Sequence, residues 1–564
     1  MEKIKQRLEF IYGSEKAGEI FTKLTELMKK YKTNKIINSK NEKYGGKVEL
    51  SEKDSIVITY GDSVLKEGKN PLASLHEFLV KNVGNSVGGV HILPFFPYSS
   101  DDGFSVIDYK KVNPSLGDWE DVRRIGKDYR LMADLVINHM SQKSDWFQGF
   151  LKGDEKYKDY FVSFNKEVDV SSVFRPRMNP LLTKFETSWG DRYVWTTFSE
   201  DQIDLNFANP DLFLEMIDIL LFYLSNSIEM IRLDAIGFLW KELGTNCFHL
   251  DKTHEIVKLF RDIFEEVAPY AVIITETNVP YKDNVSYFGD NDEAYMVYQF
   301  SYPPLVLDAF LRGDSRYLQK LFKRLKDLKK ENLFFNFLAS HDGVGVLAAR
   351  DFLSDEEFEN MLEAVKGHQG HVSYKPSPNG EVPYEMNINY FDAINDPNLD
   401  VSSEVEVKKF LASQALIVFS KGVPGIYIHS LFGSRNDEKG VEMAMGERGG
   451  GNMNNIYRRI NRERLDFERV GVELDSGRRK LVLDGFKKML KVRSENSDFG
   501  PYISEEVIDS DKRLLVFKKE TGLVVIINVS SEEVELSEFK GRNDLLGGEV
   551  FGGKVGGYGV KVLK

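Results

Sequence analysis

Short apolar runs alternate with longer helical stretches through most of this chain, and few architectures accept that rhythm. The runs fall at 56–60, 89–93, 131–137, 230–233, 272–274, 296–300, 333–338 and 415–419. A parallel strand pair needs a long crossover between its members, and a helix usually supplies it. Eight such units in succession predict an α/β fold: a (β/α)8 TIM barrel occupying residues 55–499.

Additional segments surround the barrel. Residues 1–54 read as a helical, charged extension, with Ile4, Leu8 and Ile11, then Ile20, Leu24 and Leu27, at helical spacing. Within it, 38–54 reads as a linker onto the barrel. Residues 140–205, after the third run, are rich in Phe, Tyr, Trp and Asp and predict an inserted domain roofing one mouth. Residues 345–410, after the seventh run, read as a loop-rich lid. Long ordered loops in a compact domain usually serve function. A helix over 478–493 would close the barrel. Residues 500–564 then form a C-terminal antiparallel β-domain, with strands at 513–517 and 523–528 joined by Glu520-Thr521-Gly522.

In barrels of this kind chemistry gathers at the C-terminal ends of the strands. His139, Asp234, Glu276 and Asp342 all stand at such ends. Carboxylates are costly away from water unless paired, so their recurrence points to one shared site on a polar substrate. Cleavage of a glycosidic bond with retention needs two carboxyl groups about 5–5.5 Å apart, one a nucleophile and one an acid/base. Neighbouring strands lie about 4.8 Å apart, so Asp234 and Glu276, ending consecutive strands, meet that demand. Arg232, two residues before Asp234, points to the same side and would keep it ionised. Asp342 would add negative charge near an oxocarbenium-like transition state. His139 and His341 suit hydrogen bonding to sugar hydroxyls.

Blander readings exist for each residue. A single Asp at a strand end can equally cap a helix. Asp134, inside a strand, fits a partner for an arginine better than a reactive group. Phe104 and Phe238 serve a core as readily as a sugar platform. The joint placement of Arg232, Asp234, Glu276, His341 and Asp342 is what resists a purely structural explanation.

Composition removes other classes. With 75 Lys+Arg against 88 Asp+Glu, the formal charge is −13, which argues against a nucleic-acid partner. The single cysteine, Cys247, excludes an intrachain disulfide and a Cys-based zinc cluster. Gly449-Gly450-Gly451 lacks the Gly-Lys-Ser/Thr ending of a phosphate loop. The chemistry requires neither metal nor cofactor. No apolar run approaches the roughly 18–20 residues of a membrane span, and the first residues lack a signal-peptide pattern. A cytoplasmic setting with no membrane partner follows, and the assembly, monomer or homo-oligomer, stays open.

Several segments resemble the α-amylase superfamily of glycoside hydrolases: Asp-Leu-Val-Ile-Asn-His at 134–139, Gln-Ile-Asp-Leu-Asn at 202–206, Ile-Arg-Leu-Asp-Ala at 231–235, Thr-Glu-Thr-Asn at 275–278 and Ser-His-Asp at 340–342. The resemblance implies nucleophile Asp234, acid/base Glu276 and transition-state stabiliser Asp342. Within that superfamily the chain is similar to the sucrose phosphorylase subfamily, through Ser-Asp-Asp-Gly-Phe-Ser-Val-Ile-Asp-Tyr (100–109), Phe-Arg-Pro-Arg (174–177), Trp-Thr-Thr-Phe-Ser (195–199) and Ile-Asn-Arg (460–462). By this likeness Asp101 and Arg462 would grip the far hydroxyls of a glucose, Phe104 would stack on its ring, and Phe198 and Gln202 would line the same subsite. Arg177 would receive phosphate.

Over nearly its whole length, helical extension included, the chain is similar to the glucosylglycerate phosphorylases. Shared segments include Pro-Tyr-Glu-Met-Asn at 383–387 and the stretch 422–437. The implied partners are an α-glucoside, inorganic phosphate and glycerate. Lys375, Asn387 and Arg435 join Arg177 as candidates for the anionic acceptor side. Phosphorolysis of sucrose or sucrose 6-phosphate, plain hydrolysis and a barrel without catalysis are the rival readings. The stretch 443–458 is longer than the pattern leads one to expect before Ile-Asn-Arg, which bears on the path to Arg462.

Overall fold

A computed structural model of the chain describes all residues except Met178, Pro378, Asn379 and 448–452, and leaves out the side chains of Pro376, Glu447 and Asn454. The Gly449-Gly450-Gly451 run therefore lies outside the described residues.

Eight parallel strands close into a barrel: β1 (Ile56–Thr59), β2 (Gly89–Ile92), β3 (Arg130–Val136), β4 (Ile228–Asp234), β5 (Val272–Thr275), β6 (Met296–Tyr298), β7 (Leu333–Asn336) and β8 (Val423–Tyr427). Each pairs with its neighbours in sequence, and β1 closes on β8. The strands are almost wholly buried, because helices cover the outside while packed side chains fill the interior.

One strand differs from the sequence expectation. Residues 415–419 are the last turn and more of a helix, Ser403–Phe419, and the eighth strand lies just beyond, at Val423–Tyr427. The end of that helix is buried on every side, so its apolar run carries no helical period. The true strand holds Pro424 and Gly425, which weigh against a strand reading. Packing explains Gly425: a Cβ there would meet the Phe335 ring at 2.5 Å.

The N-terminal extension is three helices, α1 (Glu2–Tyr12), α2 (Ser14–Lys32) and α3 (Lys35–Lys43). α1 and α2 lie against the barrel helices Pro210–Ser225 and Asp251–Val267, burying Ile4, Leu8, Ile11, Ile20, Leu24 and Met28. Residues 38–41, anticipated as linker, belong to α3. Asn34 caps it by accepting from the backbone N–H of Ile36 and Ile37 at 2.9 and 3.2 Å, and Ile37 anchors it in the core. From α3, Lys40 pairs with Glu229, which also accepts from Arg130 Nε at 2.9 Å; Arg130 Nη1 donates to Asp54 at 2.8 Å. These groups sit at the starts of β3 and β4 and before β1. The extension is thus fastened to the barrel floor, opposite the ends that carry His139, Asp234 and Glu276.

Between β3 and β4, a helix (Asp145–Lys152) precedes a three-stranded antiparallel sheet of Ser163–Phe164, Leu182–Phe185 and Arg192–Trp195. The segment rejoins the barrel where Gln202–Asp204 pairs with His139–Ser141. After β7, a hairpin of His371–Ser377 and Gly380–Asn387 pairs with Val344–Gly345. The C-terminal region is a six-stranded sheet, including antiparallel Leu514–Lys519 and Val524–Asn528. One face of that sheet, with Leu515, Phe517, Val525 and Ile527, joins the barrel core; the other, with Leu514, Val516, Val524 and Ile526, packs beneath Phe539 and Phe551. Among the described residues no helix is long and apolar enough to cross a membrane.

Candidate active site

Asp234 is the last residue of β4 and Glu276 directly follows β5. Arg232, on β4, lies beneath both. Its Nη1 donates to Asp234 Oδ1 at 2.7 Å and also bonds Asp134 on β3, and its Nη2 lies 3.6 Å from Glu276 Oε2. Asp134 is held in turn by His91 Nε2 at 2.7 Å. After Asp234 the chain turns sharply, with Ala235 at φ 50°, a left-handed conformation unusual without glycine. That turn aims the Ala235 N–H at Glu276 Oε2, 3.2 Å away.

Burial pushes the carboxyls of both Asp234 and Glu276 above the ordinary range. Arg232 opposes the rise in each. The charge of Glu276 adds to it at Asp234, and that of Asp342 adds to it at Glu276.

The cleft over these groups encloses about 940 Å³, its solvent mouth included. Asp101, Phe104, His139, Gln202, His341 and Asp342 all line it. Phe104 stacks on His341, ring centroids 4.8 Å apart and planes within 5°. His139 Nε2 donates to the Phe104 carbonyl at 2.8 Å, and Gln202 Nε2 donates to Asp101 Oδ2 at 3.0 Å. Burial lowers His139, and burial with the charges of Arg462 and Arg232 holds His341 well below its usual value. Both imidazoles are therefore neutral near pH 7.

Aromatic rings form the remaining wall. Phe238 lies between Phe198 and Phe248, with centroids 5.3 and 4.5 Å away, and Phe174 stacks on Phe248 at 4.5 Å. Arg177 reaches in from the segment after β3, its guanidinium 6.0 Å from the Phe198 ring and 5.7 Å from Tyr384. Its Nη1 is shielded from solvent and has no hydrogen-bond partner among the described residues. A guanidinium with a free donor beside an aromatic wall suits an anion. Among the described residues no cluster of three or more His, Cys, Asp or Glu could hold a metal ion.

Other anticipated residues stand elsewhere. Arg462 does not line the cleft: its Nε donates to the His341 carbonyl at 2.8 Å and its Nη1 pairs with Asp102. It supports His341 and the Asp102 turn from behind the cleft. Lys375 stands behind the wall, 5.0 Å from the Phe174 ring and 5.7 Å from Tyr384. Asn387 is buried in the hairpin, donating to Ser373 Oγ at 2.9 Å. Arg435 is committed to two buried carboxylates, Asp392 at 2.9 Å and Glu406 at 2.6 Å. Asn387 and Arg435 are absent from the cleft lining; Arg435 is engaged by its two carboxylates, whereas Asn387 Oδ1 is buried without a hydrogen-bond partner among the described residues, so the structure places neither at the anticipated acceptor side of the cleft.

Sequence reasoning overlooked several groups. Arg458 and Glu385 form a buried pair at the cleft wall, next to Asp342. Tyr384 and Asn278 also line it. Beneath the roof, Lys241 Nζ reaches Asn138 Oδ1 at 2.6 Å and Asp204 Oδ2 at 2.8 Å, while Thr197 donates to Asp204 through its N–H at 2.9 Å. A signal existed for Arg458, since it stands one helical turn before Arg462; with Arg459 between them, local spacing cannot say which faces the substrate.

Residues 80–359 match the family model described as the alpha amylase catalytic domain. The chain is 49% identical over 543 residues to a glucosylglycerate phosphorylase of Spirochaeta thermophila, covering 95% of this chain and 90% of that protein. It is 42% identical over 562 residues to a glucosylglycerate phosphorylase of Allomeiothermus silvanus, covering 99% and 97%. Among solved structures, sucrose 6F-phosphate phosphorylase from Thermoanaerobacter thermosaccharolyticum superposes with a TM-score of 0.73 at 23% identity, over 85% of this chain and 94% of that one.

Proposed function

Since this chain belongs to the glucosylglycerate phosphorylases, within the α-amylase superfamily, we propose that its cleft carries out the reversible phosphorolysis of 2-O-α-D-glucosyl-D-glycerate. The products are α-D-glucose 1-phosphate and D-glycerate. The enzyme is a glycosyltransferase, a retaining phosphorylase.

Two displacements accomplish the reaction. In the first, the Asp234 carboxylate attacks the anomeric carbon. The bond from that carbon to the glycerate oxygen breaks, and Glu276 gives its proton to the departing oxygen. In the second, a phosphate oxygen attacks the same carbon, its proton passes to Glu276, and Asp234 leaves. Two inversions give net retention.

The direct bond from Arg232 to Asp234 at 2.7 Å, against 3.6 Å to Glu276, favours ionised Asp234 and leaves the proton on Glu276. Asp342 would stabilise positive charge on the glucosyl ring. Asp101, Phe104, His139, Phe198, Gln202, Phe238 and His341 would surround the glucose, with Arg232 and Arg462 supporting from beneath and behind. Phosphate and glycerate are both small anions, so one cationic subsite can serve them in turn. The Arg177 Nη1 in the cleft, without a hydrogen-bond partner among the described residues, is the observation that carries this assignment, with Lys375 adding positive potential near the wall. The partners are then small molecules. A cytoplasmic location is proposed from the sugar-phosphate product and the single cysteine.

The test supplies α-glucose 1-phosphate with D-glycerate, glycerol, fructose, fructose 6-phosphate or no acceptor, and follows phosphate release. The reading expects release to depend on D-glycerate. Dominant release with fructose or its phosphate would move the enzyme to a sucrose-type phosphorylase, and equal release without acceptor would make it a hydrolase.

A further inference from the structure

Arg458 lies between two carboxylates. Its Nη1 is 2.6 Å from Asp342 Oδ1, and its Nε and Nη2 donate to the two oxygens of Glu385 at 2.9 and 2.7 Å. Glu385 Oε1 also accepts from the Gly343 N–H at 2.9 Å, next in the chain to Asp342. Glycine at 343 is a spatial requirement, for a Cβ there would stand 2.6 Å from Glu385 Cγ and Oε1.

The three ionic groups come from separate segments. Asp342 follows β7, Glu385 belongs to the hairpin strand Gly380–Asn387, and Arg458 ends the short helix Met453–Arg458. A second contact joins hairpin and helix: His371 stacks on Tyr457, centroids 4.3 Å apart. A guanidinium gripped in two-pronged fashion by a carboxylate has lost most of its rotational freedom. Whatever it touches with its remaining prong is oriented with it.

We propose that Arg458, held by Glu385, is a positioning residue: it sets the Asp342 carboxylate in the orientation required against the glucosyl ring and connects the hairpin to the reacting centre. The inference rests on the role given to Asp342 in the phosphorylase reading. Direct capture of the acceptor anion by Arg458 is the competing role. Two protein carboxylates already offset the charge of Arg458 and occupy all three of its nitrogens, whereas Arg177 retains an Nη1 unpartnered among the described residues. The anion therefore goes to Arg177.

The experiment compares Glu385→Gln, Arg458→Lys, Arg458→Gln and the double variant Glu385→Gln/Arg458→Gln with the full-length enzyme. It measures kcat and KM in the synthetic direction, well below each melting temperature. Positioning predicts that Glu385→Gln, which preserves shape, lowers kcat about 10- to 100-fold while KM for D-glycerate stays within about twofold. Arg458→Lys, able to reach Asp342 but not to fork onto Glu385, should fall between wild type and Arg458→Gln. The double variant should be no worse than Arg458→Gln alone, since the pair acts as one unit. An unchanged kcat with a raised KM for glycerate would overturn the proposal in favour of direct binding. Fully additive losses would overturn it as well. If wild type prefers another acceptor, the phosphorylase reading of glycerate fails separately, and the same kcat-against-KM comparison with that acceptor still decides the role of Arg458.

Discussion

At Arg232 one guanidinium serves three carboxylates, those of Asp134, Asp234 and Glu276, and the site's division of labour starts from its unequal reach. On the proposed mechanism, Asp234→Asn should reduce phosphate release by about 10⁴-fold or more, because it removes the attacking carboxylate. Stability should move the other way. The carboxyl of Asp234 is raised in the folded protein, so ionising it costs stability as pH rises through that raised value. Asn removes the cost, and the variant should melt no lower than wild type at pH 8, as scanning calorimetry would show. Glu276 is also raised, by burial and by Asp342 against the pull of Arg232. Its protonated form therefore persists to higher pH than that of an ordinary glutamate. Glucosyl transfer should decline as pH rises through the raised value, and Glu276→Gln should lack this alkaline limb when assayed with a substrate whose leaving group needs no proton. Asp234 and Glu276 were legible in the chain because a strand end is a local feature with a fixed direction, whereas Asp342 stands in the loop six residues beyond β7. Arg458 was not legible, for Arg458, Arg459 and Arg462 differ only in where tertiary contacts turn them.

Between elements, buried ion pairs do the fastening. Lys241 joins the end of β3, through Asn138, to the returning strand Gln202–Asp204 of the roof. Desolvation lowers its ammonium, and Asp204 counters. Lys241→Met would leave a buried carboxylate unmatched, a change that costs about 3–5 kcal/mol in comparable pairs. Denaturant unfolding should show the loss, and proteolysis should cut the roof first. A smaller loss is expected at the floor, where Lys40→Ala leaves Glu229 still held by Arg130 and Tyr44. Seven of the eight barrel strands were readable from their apolar runs, because each was short and was followed by a helical stretch. The eighth was hidden by the helix Ser403–Phe419, whose buried end resembles a strand in composition, and by Pro424 and Gly425, which resemble a loop.

Across the whole molecule the three N-terminal helices behave as part of the barrel's outer layer. They bury Ile4, Leu8, Ile11, Ile20, Leu24, Met28 and Ile37 in the main core. Deleting residues 1–43 should expose the apolar faces of Pro210–Ser225 and Asp251–Val267, giving a protein that melts lower or aggregates on purification; an unchanged melting temperature would contradict this packing. Helical spacing announced α1 and α2 from the sequence alone, but nothing local reveals which neighbours they cover. The amino terminus pairs with Glu266 at 3.2 Å, near the end of a barrel helix that has just run back to the floor. The first residue and the substrate's doorway thus occupy opposite poles. A bead, surface or fluorescent carrier attached through Met1 would hold the catalyst upright with its mouth facing free solution, forfeiting only one solvent-washed ion pair.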